Sequence, residues 1–101
     1  MTKEDKMRYS LDIIVCGDVD KPIKARELAI MWDTTPRGVR EIIMNLRLQG
    51  EPICSGNAGY WYATETEQML DTVRRIRAHA LKELKVVAKM AKILRERGHK
   101  V

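Results

Sequence analysis

Between residues 64 and 97 the chain contains neither proline nor glycine. That uninterrupted third of the sequence limits the possible folds more than any other feature. Thr64 reads as a helix cap, Glu67 completes a capping box, and the next helix breaker is Gly98. About 33 helical residues rising 1.5 Å each make a rod of roughly 50 Å. A rod of that length cannot fold back wholly onto the small unit that precedes it, so its outer part needs a partner.

Val73, Ile76, Ala80, Leu84, Val87, Ala91 and Leu94 recur along this rod at intervals of three and four. The pattern is heptad-like with one longer repeat between Val73 and Leu84, and Leu81, Val86, Ala88, Met90 and Ile93 widen it. These residues are the expected interface of a homodimer joined through the C-terminal helix; the plainer alternative is a helix lying on its own domain. Glu65, Glu67 and Asp71 at one end and Arg95 and Arg97 at the other suit the helix dipole. The chain is expected to divide into a compact domain over 1–64 and this helix over 65–101.

The remaining elements follow from caps, breakers and periodicity. A first helix is expected over 3–16, with Thr2 and Asp5 at its start, Met7, Leu11 and Ile14 on one face and Gly17 at its end. Asp18, Val19, Asp20, Lys21 and Pro22 make a turn-rich connection, and Ile23 forms a brief strand that pairs with a later hairpin. A second helix covers 25–32, and Asp33, Thr34 and Thr35 break it. Thr35 followed by Pro36 starts a third helix over 36–48. Val39, Ile42, Ile43 and Leu46 face inward, with Leu48 a further candidate, while Arg37, Gly38, Arg40, Glu41, Asn45 and Arg47 take the more exposed faces. Gly50 ends it.

Two β-prone runs, 52–55 and 60–63, flank Gly56, Asn57, Ala58 and Gly59, which gives a hairpin with a four-residue connection. Alternation puts Tyr60 and Tyr62 on one face and Trp61 on the other. With Trp32, these rings read as core between hairpin and helices rather than as a base-stacking platform, and Trp61 is expected to seat the last helix. The expected fold is mainly α with a small β-hairpin wing, followed by the long C-terminal helix.

The segment from residue 28 to residue 62 resembles the winged helix-turn-helix domains of small bacterial and phage regulators, including the biotin-operon-repressor type. The resemblance rests on ELA, the Asp33-Thr34-Thr35 turn, VREIIMNLRLQGEPI and GNAGYWY. Thr35, Val39, Ile42, Leu46, Arg47, Gly50, Gly59 and Tyr60 occupy the family's capping, packing and wing positions. Lys24 stands where the family often has Ser or Thr, Thr34 replaces an apolar turn residue, and residues 54–62 contain no Lys or Arg. The resemblance implies a third helix that enters the major groove of DNA, with a wing beside it.

On that basis the chain is expected to be a sequence-specific double-stranded DNA-binding protein acting as a dimer. It would serve as a transcription regulator or as a phage or plasmid replication-origin factor. Arg37 and Arg40 suit guanine edges, Thr35 and the neighbouring amides suit phosphate, and Gly38 and Glu41 complete the reading surface. Lys24 and Arg26 are candidates for flanking phosphate and Asn57 for a groove edge. Arg74, Arg75, Arg77, Lys82, Lys85, Lys89 and Lys92 read as a solvated flank. The alternative is a protein-interaction module without DNA binding, which the uncharged wing favours.

Charge agrees with either reading. Nineteen Lys and Arg against fourteen Asp and Glu give +5, and the excess falls within residues 65–101, which carry ten basic and five acidic residues. His79 and His99 stand apart, and neither a metal-binding spacing nor a phosphate-cradling glycine loop occurs, so no enzyme, metal or cofactor is expected. Cys16 and Cys54, distant and without a CxxC, read as two reduced thiols. No apolar run reaches the roughly 20 residues of a membrane span, and the expected location is cytoplasmic.

Overall fold

The computed structural model describes residues 3–101, with side chains from residue 8 onward. The expected Thr2 cap and the Met7 side chain lie outside the described residues. Four helices and one hairpin follow in the order α1 (Lys3–Ile14), α2 (Ala25–Met31), α3 (Pro36–Leu48), β1 (Ile53–Gly56), β2 (Gly59–Tyr62) and α4 (Thr66–Glu96). The fold is thus mainly helical, with a two-stranded antiparallel hairpin and a long C-terminal helix. No helix among the described residues is long and apolar enough to cross a membrane.

Helix α1 stops before Gly17, because Cys16 and Gly17 donate to Ile13 and Ile14 in a tightening turn. The Asp18 carboxylate then accepts from the amides of Asp20 and Lys21 at 2.8 and 2.9 Å, so the side chain itself shapes the connection. Ile23 pairs with Tyr60 as expected, exchanging N–H···O bonds of 2.7 and 2.8 Å. This bridge ties the entry of α2 to the hairpin. Gly59 has a φ of +139°, and a β-carbon there would collide with the Ile23 carbonyl. Only glycine fits.

One type of ending closes α2, α3 and α4. After α2, Thr34 donates to Ala29 and Asp33 to Ile30; after α3, Glu51 donates to Leu46 and Gly50 to Arg47; after α4, His99 donates to Leu94 and Gly98 to Arg95. Each pair is a Schellman closure, which puts the residue after the cap in the left-handed region. Gly50 and Gly98 take that conformation at φ 99° and 90°, and Asp33 takes it at φ 50°. The turn between α2 and α3 is therefore built without glycine. Thr35 then caps α3, its Oγ1 accepting from the Gly38 amide at 3.1 Å.

The buried core joins Ile14, Leu28, Val39, Ile43, Leu46 and Ile53, with Leu11, Ile23, Ile42, Trp32, Tyr60 and Tyr62 packed around it. Leu48 does not join it: at 79% exposure it points to solvent, because two residues beyond buried Leu46 at 3.6 residues per turn carry it to the outer side. The hairpin register pairs Ile53 with Tyr62, Cys54 with Trp61, Ser55 with Tyr60 and Gly56 with Gly59. Only Asn57 and Ala58 remain outside the ladder, so the connection is two residues long rather than the expected four.

The start of α4 also differs from expectation. Glu65 is its N-cap and gives no side-chain hydrogen bond. The Thr64–Glu67 capping box is replaced by Gln68, whose Oε1 accepts from the Thr64 amide at 3.1 Å and from Trp61 Nε1 at 3.2 Å. Gln68 Nε2 returns a bond to Thr64 Oγ1 at 3.3 Å. One amide side chain thus caps the helix and anchors it to the hairpin, and Trp61 seats α4 as expected. From there α4 passes the free edge of β1, where Thr72 Oγ1 accepts from the Ser55 amide at 3.4 Å.

Candidate nucleic-acid interface

Helix α3 packs against the core through Val39, Ile43 and Leu46. Its opposite side must then carry Arg37, Glu41, Met44 and Leu48, which recur every three or four residues. Thr35, Arg37, Arg40 and Glu41 are exposed, as expected for a reading surface. Arg37 Nε lies 3.7 Å from Glu41 Oε1, and both side chains are more than half exposed. Such a pair contributes little and exchanges readily for another partner. Met44 and Leu48, 52% and 79% exposed, complete the row. Leu48, a further candidate for the inward face, lies outward instead, and Met44 beside it carried no distinguishing signal in the sequence, because periodicity does not fix the phase of an exposed helix face to one residue.

Gly38 is half-buried rather than fully exposed. A β-carbon at this position would collide with Thr34 Oγ1, and Thr34 Cβ and Cγ2 would lie 3.1 and 3.3 Å from it. The turn preceding α3 therefore supplies an internal reason for glycine, in addition to any close approach by a ligand.

Lys24, Arg26 and Asn57 come together. Together with Gly56, Ala58, Gly59 and Tyr60 they line one surface depression of about 400 Å³. The bridge between Ile23 and Tyr60 explains this, since it draws the first residues of α2 to the hairpin tip. Lys24 occupies the N-cap of α2, where its donor-only ammonium cannot cap the amides, and it is exposed.

Arg47 departs most from expectation. Instead of lying on an exposed face, it is half-buried, donating from Nε to the Ile53 carbonyl at 2.8 Å and from Nη2 to Ser55 Oγ at 3.2 Å. It fastens the end of α3 to β1. Arg75 of α4 donates to the same Ser55 hydroxyl at 3.3 Å. Burial holds the Arg47 pKa below its ordinary value, and the nearby charge of Arg75 acts in the same direction, against opposing contributions from Tyr60 and Cys54. Arg47 and Ser55 border a cleft of about 690 Å³ between α3 and α4, lined also by Arg40, Met44, Ile76 and His79, while Arg75 reaches Ser55 from beside it. Arg40 therefore faces this cleft, whereas Arg37 is not among its lining residues.

The expected interface on α4 divides into two parts. Met69, Thr72, Val73 and Ile76 line a crevice against Ile53 and Cys54, and Thr72 is the buried residue of the helix. Val73 and Ile76 thus already serve the helix's own domain in part. The compact unit continues past residue 64 through these first turns. Farther along, Ala80 is exposed, Leu84, Val87 and Leu94 are 61%, 60% and 38% exposed, and Ala91 is half-buried. Leu81, Val86 and Met90 are also more than half exposed. Along the basic flank, Arg74 approaches Asp71 at 3.7 Å, while Arg75 turns toward Ser55.

No protein-family model matches the chain, and no curated protein matches its sequence.

Proposed function

We propose that the chain is a winged helix-turn-helix protein that recognises double-stranded DNA by sequence and works as a dimer joined through α4. The observation that carries this reading is the presentation of α3. A rigid turn and the Thr35 cap hold out a helix whose exposed start bears Arg37, Arg40 and Glu41. Lys24, Arg26 and Asn57 gather in a nearby depression suited to the backbone. Arg37 and Arg40 read base edges in the major groove, and Met44 and Leu48 suit thymine methyl groups. Occupying a site in this way fits a cytoplasmic transcription regulator or a phage or plasmid replication-origin factor.

Charge favours an antiparallel arrangement of two α4 helices. Glu65, Glu67 and Asp71 open the helix, and Lys82, Lys85, Lys89, Lys92, Arg95 and Arg97 follow toward its end. An antiparallel pair sets acidic starts beside basic ends, whereas a parallel pair aligns the basic ends.

A second reading, a protein-interaction module, draws on the hairpin without basic residues and on the exposed Met44 and Leu48. Binding of fluorescent duplex to the full chain across a salt series separates the two. The DNA reading expects affinity to fall steeply with salt and Arg37→Ala/Arg40→Ala to abolish sequence preference while the fold persists. Absence of duplex binding at low salt, or unchanged preference in that variant, overturns it.

A further inference from the structure

Two guanidinium groups from different helices converge on one neutral hydroxyl. Arg47 Nη2 and Arg75 Nη2 donate to Ser55 Oγ at 3.2 and 3.3 Å. Neither arginine forms an ion pair with a carboxylate among the described residues, where the ion pairs are Arg37–Glu41 and Arg74–Asp71. Like charges held this close repel unless an anion lies between them or beside them. The fold keeps them there: Arg47 is fixed by the Ile53 carbonyl, and α4 is anchored nearby by Gln68 and Thr72.

The donor count points the same way. An arginine offers five N–H groups; the bonds described use two on Arg47 and one on Arg75. Both acceptor positions of Ser55 Oγ receive arginine protons, so its own hydroxyl proton is directed elsewhere. The adjoining cleft of about 690 Å³ also presents Arg40 and His79. It has room for a tetrahedral oxyanion, whose several oxygens can accept from two planar forks at once.

We infer that the edge of this cleft at Ser55 is a phosphate-binding site, in which Arg47 and Ser55 from the cleft wall and Arg75 from beside it hold a phosphate group, with Arg40 and His79 on the remaining wall. The shared chemistry is a phosphate, supplied by the backbone of a duplex or by the free ion. The site shares Arg40 with the proposed reading surface; its duplex form rests on the DNA reading, and its free-ion form does not.

The full chain is tested with two probes. In the first, thermal unfolding is compared in sodium phosphate and sodium chloride at equal ionic strength. In the second, a duplex oligonucleotide is titrated at several salt concentrations. Arg75→Gln and Ser55→Ala are the site variants, and Lys92→Gln on the outer part of α4 is the charge control. Circular dichroism confirms that each variant remains folded. If the site takes the free ion, phosphate raises Tm saturably by about 4 °C, and both site variants lose most of the rise. If it takes backbone phosphate, Arg75→Gln weakens duplex binding about tenfold and lowers the salt slope by about 1, while Lys92→Gln changes affinity less than twofold. No effect specific to the site variants with either probe overturns the inference. A wild-type chain that fails to bind duplex but is stabilised by phosphate overturns the DNA reading alone.

Discussion

Thr34 Oγ1 occupies the space that a β-carbon on Gly38 would need. Alanine normally stabilises a helix by about 1 kcal/mol relative to glycine, but overpacking costs about 1–3 kcal/mol. Gly38→Ala is therefore expected to lower stability by about 1 kcal/mol. In a Thr34→Ala background the same change becomes neutral or stabilising, because the crowding atoms are gone. A double-mutant cycle in urea checks this coupling; additive effects would remove the steric account.

Arg47 joins α3 to the hairpin through a carbonyl and a hydroxyl. Arg47→Ala should cost about 2 kcal/mol, since it leaves the Ile53 carbonyl without its donor and removes one of the two arginine bonds to Ser55. Arg47→Lys should recover little, because one ammonium lacks the planar fork that spans both acceptors. Urea midpoints of the three proteins measure the difference, and a lysine variant as stable as the wild type would show that charge alone suffices.

Tyr62 Oη donates to Glu51 Oε2 at 2.8 Å. This hydrogen bond, with smaller contributions from burial and the Glu51 charge, raises the tyrosine pKa above its ordinary value of 10.0. A raised value means that the fold favours the neutral phenol. The stabilisation is fully present below about pH 10 and is lost as pH climbs through the higher folded-state value. Wild type should exceed Tyr62→Phe in Tm at neutral pH, and the gap should close in strongly alkaline buffer. A gap independent of pH would rule out this linkage.

The division of α4 leads to a different prediction. A chain ending at His79 retains the turns that cover Cys54 and should sediment as a folded monomer, whereas the full chain should sediment as a dimer. Leu84→Asp/Val87→Asp should dissociate the full chain without loss of the hairpin domain. A dimer in the truncated chain would locate the interface outside the 80–94 stripe.

Cys16 and Cys54 are both free, one exposed and the other buried. Cys16 should react rapidly with a thiol reagent in the native protein. Cys54, packed beneath α4, should react only after denaturant is added. Equal native rates would contradict the packing of α4 on β1.

Backbone signals were the most legible part of the sequence. Thr35-Pro36 marked the start of α3, Gly50 and Gly98 marked helix ends, and Ile23 was correctly read as a partner for the hairpin. These features depend on residues close in sequence or on conformations open to few amino acids. The roles of long side chains were hidden. Arg47 looks like surface on a helical wheel and turns inward because β1 offers two acceptors. Gln68 takes over capping from Thr64 because the Trp61 indole is there to share its carbonyl. Such choices depend on neighbours brought close only by the tertiary fold.

The outer turns of α4 have another consequence. In a lone chain they are held only by intrinsic helix propensity, which is marginal for a short segment in water. Under the proposed pairing, ordering and assembly become one equilibrium, and dilution would unwind the same turns that it separates. Mean ellipticity per residue should then climb with protein concentration. A tail of this kind would act as a dose gauge, converting abundance into the amount of rigid, paired protein.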